Sequence, residues 1–244
     1  PDEDNVYTFF GSALHGALER FNRMRMAGVE RPAWADLDGF FTLAPGDFPS
    51  DAQRRQLDAR GRLFLKRYYD WWAQAPREVV SAEGLFEYDY TDGKGRTHLI
   101  RGRYDLIERD AAGNEIIIDY KSGKREPTVT KGLRKSDRHP QKKLQLGLYY
   151  LARHGGQVVP GARVAYIFLR HEEDKPPLTW VDRFDTNGEQ YISCEHTAQT
   201  LQGIRETIDE VIEGILANSF PRVTDGCDTC PFSDVCEVSK RAYF

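Results

Sequence analysis

Asp119 and Lys121 stand two residues apart in "NEIIIDYKSGK", directly after three consecutive isoleucines, Ile116 to Ile118. Such a run belongs to a strand covered on both faces, an interior that ordinarily excludes aspartate and lysine. Period-two alternation puts both charged residues on one face. Upstream, "RYDLIERDAAGNE" reads as the first strand of a hairpin. A three-residue loop, Ala111-Ala112-Gly113, with Gly113 supplying positive φ, pairs Asp110 with Asn114, so that paired residue numbers sum to 224. Asp105 then faces Asp119 across the ladder, with Cβ atoms roughly 4.5–5.5 Å apart. Two carboxylates that close repel unless a cation lies between them, and an oxygen-seeking Mg²⁺ requires such a pair. The strand end therefore reads as a place for a metal, a water and a phosphate. The alternative is a salt bridge between Asp105 and Lys121, with Asp119 a solvated terminus.

Stepping outward, the elements needed to hold these residues are legible. Phe10, Leu14, Leu18 and Phe21 recur at helical spacing over 8–26, and a second helical pattern covers 51–72. Between them a segment broken by prolines and glycines has room for one short helix. Strands are expected over 79–91, 97–108 and 115–121, the first two joined by "DGKG". A helix over 141–153 precedes the strand "RVAYIFLR" and an edge strand in "LTWVDRF", and a helical crossover of this kind implies a partly parallel sheet. From 187 to 217 a long amphipathic helix carries Ala198, Leu201, Ile204, Ile208, Val211 and Ile215 on one stripe.

The chain has 244 residues, 40% hydrophobic and 30% charged, with no apolar run near the roughly 20 residues of a membrane span, which is ordinary for a soluble globular protein. A formal net charge of −4 argues against a general nucleic-acid coat but hides a local field. Residues 122–143 hold eight basic residues, among them Lys124, Arg125, Lys131, Arg134, Lys135 and Lys142, against two acidic ones. This connection exceeds the usual loop length and is suited to tracking a phosphate backbone, unless it is only a solvated excursion. Cys227, Cys230 and Cys236 crowd together as C-x-x-C-x-x-x-x-x-C, which points to metal chemistry in a reducing compartment, the cytoplasm. Zinc or three unoccupied thiols are the plainer readings. The start at Pro1 suggests a piece of something longer.

The order of elements, with Asp105, the Asp119-Tyr120-Lys121 triplet, and Gln145 and Tyr149 in "QLGLY", resembles the PD-(D/E)XK nuclease superfamily, in particular its RecB-like branch with AddB-type and CRISPR-adaptation-type nucleases. His15 in "GSALHGALERF" matches the histidine of that branch's upstream helix, and Glu83 in "SAEGLFEY" resembles an acidic residue of its first strand. The resemblance implies a restriction-endonuclease-like core, a central mixed β-sheet flanked by helices. It would be organised as an N-terminal helical region over 1–78, the nuclease core over 79–184, and a long helix with a Cys staple over 185–244, all within one structural domain. It implies hydrolysis of DNA with Mg²⁺ or Mn²⁺, on single strands or ends and as an exonuclease rather than an endonuclease, beside a helicase or a DNA-repair complex. It also implies that the three cysteines serve a [4Fe–4S] cluster whose fourth ligand lies upstream of this sequence; Cys194 falls on the apolar stripe and reads as core.

The roles follow from the residue types. Asp105, Asp119 and the Tyr120 carbonyl are hard oxygen donors, and His15 adds a nitrogen that makes Mn²⁺ welcome. Lys121 orients a water or stabilises growing negative charge, the second being favoured because neighbouring carboxylates support an ammonium. Gln145 and Tyr149, four apart on one helix face, position Lys121 and the DNA strand. Against these stand a histidine satisfied on a helix face, a polar helix flank, a non-catalytic DNA-binding scaffold, and an interaction module built on the cysteine staple.

Overall fold

The computed structural model describes residues 3–124, 140–170, 178–180 and 198–219. In chain order these form α1 (Glu3–Met26), α2 (Trp34–Phe40), α3 (Asp51–Gln74), β1 (Glu78–Thr91), β2 (Thr97–Arg109), β3 (Glu115–Lys124), α4 (Pro140–His154), β4 (Arg163–Arg170), β5 (Leu178–Trp180) and α5 (Ala198–Leu216). The strands make one five-stranded sheet in the order β1-β2-β3-β4-β5. β1, β2 and β3 form an antiparallel meander, β4 lies parallel to β3 after the α4 crossover, and β5 returns antiparallel at the edge. This is the mixed α/β sheet expected from the pattern.

β3 is central, which is why it carries three isoleucines. Ile116 and Ile118 share a core with Leu106, Tyr120, Ala165, Ile167 and Leu169 from the sheet and with Phe10, Leu14, Leu18, Phe21, Phe64, Leu65 and Tyr68 from α1 and α3. The intervening Ile107, Ile117, Val164, Tyr166 and Phe168 are also buried, on the other face, as are Leu146 and Tyr150 of α4. Burying each such side chain stabilises the fold by roughly 1.5–3 kcal/mol, which leaves β3 firm enough to end in charge. The β2–β3 register follows the expected sum, with Leu106 opposite Ile118 and Arg109 opposite Glu115, and Gly113 has φ 88°. In the β1–β2 turn, the Asp92 carboxylate accepts from the Lys94 and Arg96 amides at 2.9 Å and meets His98 Nε2 at 2.8 Å.

Helix ends follow local chemistry. Ser50 Oγ accepts from the Gln53 amide at 3.2 Å to start α3, and Gly28, with φ 93°, closes α1. On α5, Leu201, Ile204 and Ile208 are buried while Val211 and Ile215 are exposed. The chain divides into two compact units, Pro1–Ile204 and Arg205–Phe244. Among the described residues no helix is long and apolar enough to cross a membrane. Arg125, Lys131, Arg134, Lys135, Cys194, Cys227, Cys230 and Cys236, and the side chains of Lys124 and Lys142, lie outside the described residues.

A buried ionic knot fixes α1 to the sheet. Arg25 donates to Glu108 Oε1, to Asn22 Oδ1 and to the Arg77 carbonyl, each at 2.7 Å, and lies 4.8 Å from the centre of the Trp72 ring. Arg77 Nη1 reaches the second Glu108 oxygen at 3.2 Å. The Arg25 and Glu108 side chains are 4% and 2% exposed, so removing one charge strands the other in the core. Glu108→Gln is therefore expected to lower stability by about 3–5 kcal/mol in urea denaturation; a loss below about 1 kcal/mol would show that the knot does not hold α1.

Candidate active site

Asp105 sits where β2 changes face. Leu106 belongs to the core beneath α1 and α3, yet Tyr104, two residues earlier, packs on Tyr149 of α4 with ring centroids 5.3 Å apart. Residues two apart on a strand ordinarily share a face, so β2 turns over at Asp105. On β1, Ala82 pairs with Leu106 and Gly84 with Tyr104, which places Glu83 opposite Asp105. Glu83 has φ 50°, a left-handed backbone that costs a residue with a side chain on the order of 1–3 kcal/mol. The two strands bend together. Phe86 holds the turned segment, lying 4.7 Å from the Tyr104 ring centre and filling the space a Cβ at Gly102 would need.

The β2–β3 ladder opens at the same level. Asp110 donates to the Asn114 carbonyl at 3.0 Å, and hydrogen-bonded pairs then recur at every second residue as far as Leu106–Ile118. The next pair would send the Tyr120 amide to the Tyr104 carbonyl. Instead Asp105 Oδ2 accepts it at 2.8 Å. A carboxylate stands in for a backbone carbonyl, and the sheet forks.

The fork gathers His15, Glu83 and Asp105, whose donor atoms all lie within 4.8 Å of one another. His15 Nδ1 is 3.5 Å from Asp105 Oδ2. Asn22, seven residues and so about two turns along the same face of α1, donates to Tyr120 Oη at 3.1 Å, and Tyr68 Oη lies 3.1 Å from the same oxygen. The side chain of Tyr120 thus anchors the helix whose histidine meets its backbone.

Burial is the largest influence on every acid here. It pushes Glu83 up to about 7, with repulsion from Asp105 adding to it and Arg103 opposing it. It raises Asp105 against the Tyr120 amide and Lys121, and it carries Asp119 up to about 6, with Lys121 opposing and Asp105 adding. Burial also lowers His15, which leaves a neutral imidazole with a lone pair to offer. Three carboxylates that all resist ionisation mark a site short of positive charge. Two oxygens and a nitrogen at this spacing suit a divalent cation. Asp119 Oδ2 supports the fit: it is buried, and Lys121 Nζ, although 2.6 Å away, approaches outside hydrogen-bonding angles. We take that contact as an ion pair that leaves the oxygen without a directed donor.

α4 completes the site from the other face. Gln145 accepts from Lys121 Nζ through Oε1 at 2.9 Å, and its Nε2 donates to Asp119 Oδ1 at 2.7 Å and to Tyr149 Oη at 2.8 Å. An amide has one acceptor end and one donor end, so Gln145 can hold the acid and the base of β3 only in this orientation. Lys121 Nζ lies 5.1 Å from the centre of the Tyr166 ring, and its side chain is 29% exposed, within reach of a solute.

The sequence matches the PD-(D/E)XK nuclease superfamily over residues 2–237. The chain belongs to that superfamily. The crystal structure of SSO0001 aligns with 97% of this chain and 96% of its own at 18% identity and a TM-score of 0.40, a likeness too remote to carry functional weight. No protein of curated function matches the sequence.

Within this superfamily member, the structure brings together His15, Glu83 and Asp105 as mutually close donors, and Asp119, Lys121, Gln145 and Tyr149 as a hydrogen-bonded set. Only the family resemblance pointed to Glu83, because pairing β1 with β2 requires the register shift between Val79 and Ser81 and a left-handed Glu83, neither of which a pattern reveals. Sequence reading missed Asn22, Tyr68, Gly102 and Arg103. The one available signal was Gly102 inside a strand, which marks close approach of another group. Glu83→Gln removes a crowded charge and a donor together. The cation-free variant is expected to melt higher than the parent at pH 7.5, while the parent alone gains about 2.7 kcal/mol from Mn²⁺ at 100 times its Kd. Equal Mn²⁺ stabilisation of both proteins would place the cation elsewhere.

Proposed function

We propose that this chain hydrolyses DNA phosphodiester bonds with Mg²⁺ or Mn²⁺, acting on single strands or strand ends, as a member of the RecB-like branch. The observation that carries the reading is the fork. A histidine and two carboxylates converge where the β2–β3 ladder opens, and Lys121 and Asp119 stand on the adjoining strand. A divalent cation held by His15, Glu83 and Asp105, with Asp119 and the Tyr120 carbonyl as further oxygen donors, would polarise the phosphate and acidify a bound water.

The chain's own residues supply the rest. Displacement at phosphorus adds negative charge to the phosphoryl oxygens, and the partly exposed Lys121 ammonium would offset that charge. Gln145 keeps Lys121 from swinging away, since it holds Nζ through Oε1 while its other end is tied to Asp119 and Tyr149. Asp119 is held by Gln145 through Oδ1 and meets Lys121 through Oδ2, the buried oxygen without a directed donor that would serve a cation. His15, neutral and partly exposed, offers nitrogen without adding charge.

The wider context is proposed on the resemblance and on sequence spacing. Lys124, Arg125, Lys131, Arg134, Lys135 and Lys142 would follow the phosphate backbone. Cys227, Cys230 and Cys236 would hold a [4Fe–4S] cluster together with a fourth ligand. A helicase or repair complex would deliver the ends, with exonucleolytic cleavage in the cytoplasm.

Two substitutions test the chemistry. Asp119→Ala is expected to abolish cleavage of a labelled oligonucleotide and weaken Mn²⁺ binding. Lys121→Ala should slow single-turnover cleavage by on the order of 10²–10³, as for loss of one preorganised donor, while Mn²⁺ binding persists. Normal cutting by both variants, with only a lower Tm, would reduce the pair to a structural salt bridge.

A further inference from the structure

Arg103 is a largely exposed cation paired with an acid of the fork. It stands on β2 two residues before Asp105, and its Nε lies 2.7 Å from Glu83 Oε2. The two halves of this ion pair differ sharply: the Glu83 side chain is 8% exposed, the Arg103 side chain 61%. Two residues earlier, Arg101 Nε meets Glu87 Oε1 at 2.8 Å with both side chains more than 60% exposed, an ordinary surface pair worth roughly 0–1 kcal/mol. Arg103 is unlike it because its partner is one of the three mutually close donors of the site.

Glu83 therefore has two claims on it. Committed to a divalent cation alongside His15 and Asp105, its carboxylate would share its charge, and the hold on Arg103 would weaken. The exposed guanidinium would then stand beside a cation-bearing site with its charge only partly matched. An anion that bridges the two positive groups satisfies both, and a guanidinium with five planar donors fits phosphate oxygens in a forked geometry. We propose that Arg103 is a ligand for the substrate's phosphate, parked on Glu83 until that carboxylate serves the cation. The inference rests on the nuclease reading of the same site.

The arrangement gives Arg103 effects of opposite sign on two ligands. Arg103 competes with the cation for Glu83, so Arg103→Gln should bind Mn²⁺ several-fold more tightly in calorimetry without DNA. It also loses a charged donor to phosphate, so it should bind a labelled single-stranded oligonucleotide more weakly, by on the order of 10–100-fold, in Ca²⁺ by fluorescence anisotropy. Arg101→Gln, with the same change of charge on the same strand, should match the parent in both. If Arg103→Gln and Arg101→Gln behave alike, or if Arg103→Gln weakens Mn²⁺ and oligonucleotide together, Arg103 is a surface or structural residue and the inference is overturned. A parent protein that binds no oligonucleotide would instead bring down the nuclease reading, and this inference with it.

Discussion

One hydrogen bond organises this protein: the Tyr120 amide donates to Asp105 Oδ2 where a backbone carbonyl would ordinarily stand. A sheet that kept its ladder would have no room between β2 and β3 for anything but backbone. Because a side chain takes the amide, Tyr104 is released to the α4 face, β2 turns over, and Glu83 on the neighbouring strand takes up a left-handed backbone to follow it. The opening admits His15 from α1, and the acids on three adjacent strands, Glu83, Asp105 and Asp119, come into one row. Asp105 both makes the gap and lines it.

Such a site opposes folding. Burial raises the pKa of each of its acids, and one of them carries backbone strain. The surrounding structure offsets this on both faces. Beneath the fork, Arg25, Glu108, Asn22, Tyr68 and Tyr120 lock α1 against the sheet, and above it Gln145 and Tyr149 hold the end of β3. The isoleucines that precede Asp119 serve the same end, since a strand buried on both faces does not yield when its last residues repel one another. Rigidity and charge crowding are therefore parts of one arrangement. A loose scaffold would relax the acids apart, and their attraction for a cation would go with it.

The sequence exposes the periodic part of this arrangement and hides the aperiodic part. The strand ends, the hairpin register and the Gln145–Tyr149 spacing follow from alternation, a glycine at φ 88° and helical geometry, all local rules. What local rules do not contain is the point where they fail. Alternation expects Tyr104 and Leu106 on one face and Asp105 in an unbroken ladder with Asp119; the structure breaks both expectations at one residue. Glu83 and Arg103 take their roles from that break. Asn22 looked like an ordinary polar position in a helix because its partner, Tyr120, lies 98 residues away. A family resemblance reached His15 where spacing alone left it on a helix face, and the buried knot below it joins Arg25 to Glu108 across 83 residues, with no local signature.

The central claim is that a broken ladder creates a divalent-cation site bounded by three strands and one helix. Anomalous scattering from crystals grown with Mn²⁺ measures this most directly. The account predicts one strong peak in the fork, within about 2.0–2.6 Å of oxygens from Glu83 and Asp105 and of a His15 nitrogen, with Tyr120 still donating to Asp105. A closed β2–β3 ladder, or a Mn²⁺ peak that touches none of these three side chains, would contradict it.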